Sequence, residues 1–271
     1  MADTARTFPE SWRKRSSRTE LLIWAGWLAL VALFVFCWQV MTKDTIWMFV
    51  TDAPSQAVDI GSRMVPPRWA YLPDLMAPLW DTINIATLGT LLAVIMAVPV
   101  AFLAARNTTP SVRFVRPVAM LVIVASRSIN ALIWALLLVA IIGPGVPAGI
   151  VAIALRSIGF VAKLLYEAIE EIDEKQVEAV TATGASTAQV IDYAIVPQIL
   201  PAFAGICVFR WDINIRESAV LGLVGAGGLG LKLQDSLNIL AWPQVTVIFV
   251  LILLTVLISE WVSARVRHAI I

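Results

Sequence analysis

An all-α integral membrane protein with six transmembrane helices is the fold class this sequence predicts, and two observations carry the prediction. Of 271 residues, 59% are hydrophobic and only 14% are charged, too little polar surface to cover a water-soluble globule. The apolar residues also cluster in uncharged runs close to the roughly 20 residues a helix needs to cross a bilayer. The net charge of +1 points to no class of partner, so the placement of the charges is what informs. Cys37 and Cys207 lie inside apolar runs, which supports neither a disulfide framework nor a metal cluster. His268, beside Arg265 and Arg267, reads as a juxtamembrane charge rather than a catalyst.

Residues 1–20 form a cytoplasmic basic N-terminus carrying Arg6, Arg13, Lys14, Arg15 and Arg18. The charge-free run 21–41 follows. It is longer than the apolar core of a secretory signal and leads into Thr42-Lys43-Asp44, so it is expected to stay as the first span. Residues 42–78 set Pro54, Pro66, Pro67, Pro73 and Pro78 among Trp47, Trp69 and Tyr71, which suits a periplasmic, interfacial segment. Residues 79–271 then hold five spans, at 79–105, 117–142, 148–166, 197–221 and 242–262. Arg106, Arg113 and Arg116 mark a cytoplasmic loop after the second span, GPGVP at 143–147 reverses the chain after the third, and a polar loop at 167–196 follows the fourth. With this topology twelve Lys and Arg lie inside, against Lys43, Arg63, Arg68 and Lys232 outside. Both termini are therefore expected in the cytoplasm.

Four arginines, Arg127, Arg156, Arg210 and Arg216, fall within the expected spans. An arginine at the middle of a span costs roughly 2.5 to 3.5 kcal/mol, while a central Leu, Ile or Val returns only about 0.3 to 0.6. The fourth span is marginal with Arg156 in it and must depend on packing within a bundle. Around Arg127, ASRSIN adds Ser126, Ser128 and Asn130, and Ser157 follows Arg156. In the fifth span, FRWDINIRES places Asp212 and Arg216 four apart, a helical ion-pair spacing, and sets Arg210, Asn214 and Glu217 along another face. Two readings of Arg210 and Arg216 stand: Glu217 and Asp212 neutralise them and lock the bundle, or they line a route. Arg127 and Arg156 have no comparable local acid and are expected to leave a positive field at membrane depth, as an anion pathway needs. The pathway residues expected on this basis are Arg127, Ser126, Asn130, Arg156 and Ser157, joined by Arg210 and Arg216.

In the polar loop 167–196, Gln176 to Thr183 favours helix, Gly184 relaxes the backbone, and Ser186 or Thr187 can cap a second short helix running to Ala194. Pro197 suits the first turn of the next helix. Glu178, Ala179, Gly184 and Pro197 resemble the Glu-Ala-Ala, or EAA, loop of the permease subunits of bacterial ABC importers; Val180, Ala194 and Val196 are apolar departures from that pattern. The resemblance implies a coupling helix that inserts into a groove on a separate ATP-hydrolysing subunit. RSINALIWALLLV from Arg127, LRSIGFVAKLLYEAIEEID from Leu155 and VPQILPAFAGICVFRWDINIRESAVLGLVGAGGLG from Val196 resemble the permease subunit of phosphonate ABC importers and their phosphite-importing kin, over roughly residue 75 to the end. That resemblance implies a type I ABC importer permease fold in the bacterial inner membrane and a homodimer. It also implies two ATP-binding subunits that hold ATP and Mg, a periplasmic phosphonate-binding protein, and a small oxyanion as cargo. This chain would itself hold no cofactor, catalyse nothing and bind no nucleic acid. Guanidinium forks and hydroxyls suit an anion with three acceptor oxygens.

Gly225, Gly227 and Gly230 spell GxGxxG, but no βαβ unit surrounds them and no acid stands at the distance a dinucleotide site requires. With Gly228 they are expected to make a tight turn above the pore that serves as a gate. No GxxxxGK[ST] occurs, so the energy for transport must come from a partner. The acids Glu167, Glu170, Glu171, Asp173 and Glu174 fall around most of a helix circumference, as on a solvated cytoplasmic helix. Two other functions compete. An importer of methionine or another small solute would share the loop and glycine turn without needing Arg127 and Arg156, and an anion channel would not need a coupling loop.

Overall fold

A computed structural model describes residues 17–270; Arg6, Arg13, Lys14 and Arg15 of the basic N-terminus lie outside the described residues. The described chain is helical, with no strand among these residues. Helix α1 is Ser17–Thr42, α2 Trp47–Met64 and α3 Met76–Ala104, with short 3-10 turns at Trp69–Tyr71 and Pro73–Leu75 before α3. Then come α4 Val115–Ser128, α5 Ala131–Ile142, α6 Val146–Glu170, α7 Glu174–Ala182 and α8 Thr187–Val190. A π-helical stretch, Ile191–Ile195, leads into α9 Val196–Leu221, and a 3-10 turn at Gly222–Val224 precedes α10 Gly228–Asn238 and α11 Trp242–Ile270.

The chain divides into two compact units, Met1–Asp59 and Ile60–Ile271. In the first, α1 shows apolar side chains such as Trp24, Leu28 and Phe34 all round its surface, as a helix meant for hydrocarbon does. The stretch 42–78 is more ordered than an irregular interfacial segment: 18 of its residues form α2, with Pro54 inside the helix and no residue buried.

The second unit is built on α3 packed along α6. Gly89, Ala93, Ala97 and Ala101 recur every fourth residue on the buried face of α3, a spacing that lets helix backbones approach closely. A Cβ added at Gly89 would stand 2.7 Å from Ile153 Cγ2 of α6. Helix α4 meets α6 closer still. At Gly159 an added Cβ would lie 2.4 Å from the Ile123 carbonyl oxygen and 2.9 Å from Ser126 Cβ. Apolar side chains fill the rest: one cluster holds Ala97, Leu165, Ile169, Ile195 and Ile199, a second holds Leu75, Leu229, Val245 and Ile248, and a third holds Ile85, Ala135, Ile153 and Leu221.

Five helical runs are long and apolar enough to cross a membrane, namely Arg18–Thr42, Pro73–Ala104, Val146–Glu170, Thr187–Val224 and Trp242–Ala269. They coincide with the spans expected at 21–41, 79–105, 148–166, 197–221 and 242–262. The span expected at 117–142 is corrected: it is two helices, α4 and α5, bent by 88°, and the described residues hold six candidate spans if this pair counts as one. The cause is local. Ile129 and Asn130 are extended, and Asn130 Oδ1 accepts the Leu132 N–H at 3.1 Å, which starts a new helix at Ala131. Arg127 therefore sits in the last turn of α4, at the bend.

Candidate functional site

Where α4, α6 and α9 converge, Arg127, Arg156, Phe160 and Arg210 line a cavity of about 250 Å³. One carboxylate serves two of these cations. Glu217, about two helical turns beyond Arg210 on α9, accepts from Arg156 Nε at 3.1 Å through Oε1 and from an Arg210 terminal nitrogen at 3.1 Å through Oε2. The Arg127 guanidinium, by contrast, makes no ion pair among the described residues. Three guanidinium groups against one carboxylate leave the cavity wall with two unbalanced positive charges.

Behind the wall a chain of hydrogen bonds fixes Arg210, whose side chain is only 3% exposed. Arg210 Nε donates to Ser157 Oγ at 2.9 Å, Ser157 Oγ donates to Asn214 Oδ1 at 3.2 Å, and Asn214 Nδ2 donates to Thr90 Oγ1 at 2.7 Å. Thr90 Oγ1 in turn donates to the Ala86 carbonyl at 2.6 Å. Each member donates to the next across α9, α6 and α3, so a buried cation is held without orphaned polar atoms. The Phe160 ring lies 5.2 Å from the Arg210 guanidinium carbon and adds a cation–π contact on the cavity side.

The expectation that Arg156 is uncompensated, for want of a local acid, is corrected: Glu217, 61 residues away in sequence, pairs with it. The hydroxyl and amide groups grouped with the arginines are engaged elsewhere. Ser126 Oγ donates to the Leu155 carbonyl and accepts the Gly159 N–H at 2.9 Å, clasping α4 to α6. Ser157 is fully buried in the Arg210 chain, and Asn130 is spent on the α5 cap. Arg216 stands apart from the cavity. It pairs with Asp212, whose second oxygen accepts from Ser259 Oγ of α11 at 2.8 Å, so this pair fastens α9 to α11. Phe160, Glu217 as a shared acid, and the Thr90–Asn214 link were not identified from sequence. The spacing of Arg210, Asn214 and Glu217 on one face of α9 was the signal available for the last two.

Below the bundle, α7 and α8 form an exposed hook. Asp173 caps α7 by accepting the Lys175 N–H at 3.0 Å, and its own N–H donates to Gln198 Oε1 of α9 at 2.9 Å. Gly184 turns the chain with φ of +82°, in the left-handed region that favours glycine. The Ser186 N–H donates to Gln189 Oε1 at 2.8 Å, the reciprocal half of a capping box. Glu178, Ala179 and Gly184 are exposed, while Val177, Val180 and Ile191 turn partly inward. A cleft of about 210 Å³ lined by Asn107, Ile172, Glu174, Val177, Glu178 and Ile195 opens beside α7. The second helix of the hook does not end at Ala194 as expected. It runs from α8 through the π stretch straight into α9, with Pro197 in the first turn of α9. Nor is the acidic run wholly solvated, because Glu170 pairs with Arg116 at 3.2 Å and accepts the Arg106 N–H at 2.9 Å, tying the α3–α4 loop to the end of α6.

The glycines at 222–230 form a packed turn. Gly225, Gly227 and Gly228 have φ of +88°, +87° and +72°. A Cβ on Gly230 would fall 2.1 Å from the Ala219 carbonyl oxygen. The Gly225 carbonyl accepts the Gly145 N–H at 2.9 Å, which joins this turn to the one at 143–147, and Thr82 Oγ1 of α3 accepts the Leu229 N–H at 2.8 Å.

Comparison with known proteins agrees with this architecture. The family model for the inner membrane component of binding-protein-dependent transport systems matches residues 89–268. The phosphite transport system permease protein PtxC of Stutzerimonas stutzeri is 38% identical over 244 residues, which cover 89% of this chain and 88% of that protein. The phosphate-import permease protein PhnE of Mycolicibacterium smegmatis is 39% identical over 240 residues, covering 89% of this chain and 44% of that protein. Among solved structures, a chain of the inward-facing MetNI methionine ABC transporter aligns with a TM-score of 0.63 at 22% identity, over 73% of this chain and 96% of its own length. A chain of a bacterial ABC transporter involved in alginate import aligns with a TM-score of 0.58 at 17% identity, over 92% of this chain and 99% of its own. The fold is thus that of type I ABC importer permeases, and the chain belongs to the family of inner membrane components of binding-protein-dependent transport systems.

Proposed function

We propose that this chain is the permease subunit of an ATP-driven importer that carries a small phosphorus oxyanion, phosphite or a phosphonate, across the inner membrane by alternating access. The observation that carries the reading is the cavity lined by Arg127, Arg156 and Arg210 with one carboxylate between them. Guanidinium forks match the oxygens of a tetrahedral anion, and two surplus charges match a dianion. The 38% identity to a phosphite transport permease over most of both chains supports the same cargo. A methionine carrier has weaker support, since the probable D-methionine transport system permease protein MetI of Haemophilus influenzae is 31% identical over 67% of this chain, against 38% over 89% for the phosphite permease.

Two copies of the chain pair, with both termini in the cytoplasm. Two separate ATPase subunits, holding ATP and Mg, dock on the exposed hook through Glu178, Ala179 and Gly184, and Pro197 fixes where the hook enters α9. A periplasmic binding protein delivers the anion above the glycine turn, which seals the outer end of the route. ATP binds the closed ATPase pair more tightly than the open one, and that difference shifts the permease between its two states. The chain itself catalyses nothing. Arg127, Arg156 and Arg210 meet the anion, while Ser126, Ser157, Asn130 and Arg216 hold the helices that present them.

Arg127→Gln tests the reading, since it removes the unpaired charge while keeping a side chain of similar length. In proteoliposomes with the ATPase subunits and loaded binding protein, phosphite uptake should fall about tenfold or more with complex assembly unchanged. Uptake at the wild-type rate overturns the assignment.

A further inference from the structure

We infer that Glu217 is a built-in competitor of the cargo: its carboxylate holds Arg156 and Arg210 in the cargo-free transporter, and the oxyanion displaces it on entry, which makes Glu217 a specificity-determining residue. This rests on the reading of the cavity as an oxyanion route.

The geometry supplies each part. Glu217 Oε1 and Oε2 each take one guanidinium, at 3.1 Å in both cases, so its carboxylate presents to the cavity arginines the two-oxygen pattern that an incoming anion would present. It is not sealed in place: the Glu217 side chain is 22% exposed and that of Arg156 30% exposed, against 3% for Arg210. Arg210 keeps its Nε bond to Ser157 whichever anion faces its terminal nitrogens. The site therefore need not collapse when Glu217 leaves. Arg127, on the α4 side of the same cavity, is the cation that Glu217 does not engage.

Selectivity follows from counting oxygens. An amino acid or other single carboxylate offers the two arginines what Glu217 already gives them, so the exchange gains little. A tetrahedral anion with three acceptor oxygens can replace both Glu217 contacts and reach Arg127 as well. The competing carboxylate also keeps three arginines from holding a dianion too tightly to release, since conduction requires binding weak enough to leave. A bundle without Glu217 would trap its cargo.

The test uses the purified transporter with its ATPase subunits, free of nucleotide, and inorganic phosphate as the probe. By equilibrium dialysis, Glu217→Gln should bind phosphate about tenfold tighter than wild type, because a neutral amide competes less for the guanidinium groups. Acetate, which carries one carboxylate, should compete for phosphate in Glu217→Gln and not in wild type. ATP-driven turnover of phosphite should drop in the variant even at saturating binding protein, with KM falling alongside kcat. Equal or weaker phosphate binding by Glu217→Gln overturns the inference. If the variant fails to assemble in phosphate-free buffer, recovery of assembly with added phosphate supports it and failure in both buffers overturns it. Arg127→Gln separates the two levels. Lost uptake there with an unchanged Glu217→Gln affinity sinks only the competitor role, whereas retained uptake sinks the oxyanion route itself.

Discussion

In the arginine cavity, Arg210 reaches Ser157 and Glu217 while Asn214 reaches Thr90, so the polar groups that hold Arg210 at membrane depth are matched by partners within the chain. In the hook, Glu178, Ala179 and Gly184 remain exposed, and the hydrogen bonds there serve mainly to cap two short helices. The contrast follows from solvent. Polar atoms in hydrocarbon have no water to turn to and must be satisfied internally, whereas a surface that is to receive another protein must stay unfilled until the partner arrives. Substitutions among the groups that hold Arg210 should therefore act on folding, and those in the hook on coupling.

The strongest test of the first half is Gly159→Leu. The Gly159 position lies against the Ile123 carbonyl and Ser126 of α4, and backbone cannot yield as a flexible side chain does. Forcing α4 away from α6 should cost about 3 kcal/mol and break the Ser126 clasp, seen as a lowered SDS-unfolding midpoint of the purified transporter and reduced yield in the membrane. An unchanged midpoint would mean that α4 is not held against α6. Asn214→Ala comes next. It removes the donor to Thr90 and the acceptor for Ser157, both buried, at about 2 kcal/mol, and it slackens the support of Arg210. Stability and phosphite uptake should fall together. If uptake survives a clear stability loss, the hydrogen-bond chain is structural only and does not position Arg210.

How much of this was legible in the sequence depends on the range of the interaction. The spans were readable because an apolar helix announces itself without reference to a partner, and five of the six expected runs coincide with single helical runs. The break between α4 and α5 escaped because one Asn cap in a long apolar stretch hardly changes its hydropathy, although Asn130 was in view as a polar residue. The Asp212–Arg216 pair was readable from its i,i+4 spacing. Arg156–Glu217 was not, since no local pattern reports a contact across 61 residues. Ser126 and Ser157 suit an anion pathway by their chemistry, yet they fasten helices. Hydroxyl groups do both jobs, and only the packing tells which. Phe160 had no signal at all, being one apolar residue among many in its helix.

The smallest effect on folding belongs to the hook. Gly184 has φ of +82° and nothing within 4 Å of an added Cβ, so Gly184→Ala meets no obstacle except backbone strain of about 1 kcal/mol. The strain falls on an exposed turn between α7 and α8, where local opening is separate from global unfolding, and the SDS midpoint should hardly move. The orientation of α7 relative to α8 should change, and with it the fit of Glu178 and Ala179 to an ATPase subunit. Phosphite uptake and ATP hydrolysis stimulated by loaded binding protein should then fall together severalfold in proteoliposomes. Intact stimulation would detach the hook from coupling. A midpoint lowered as far as in Gly159→Leu would show instead that the hook is part of the folded core, and the contrast between a self-satisfied chain of hydrogen bonds behind Arg210 and an open docking surface would fail at its second term.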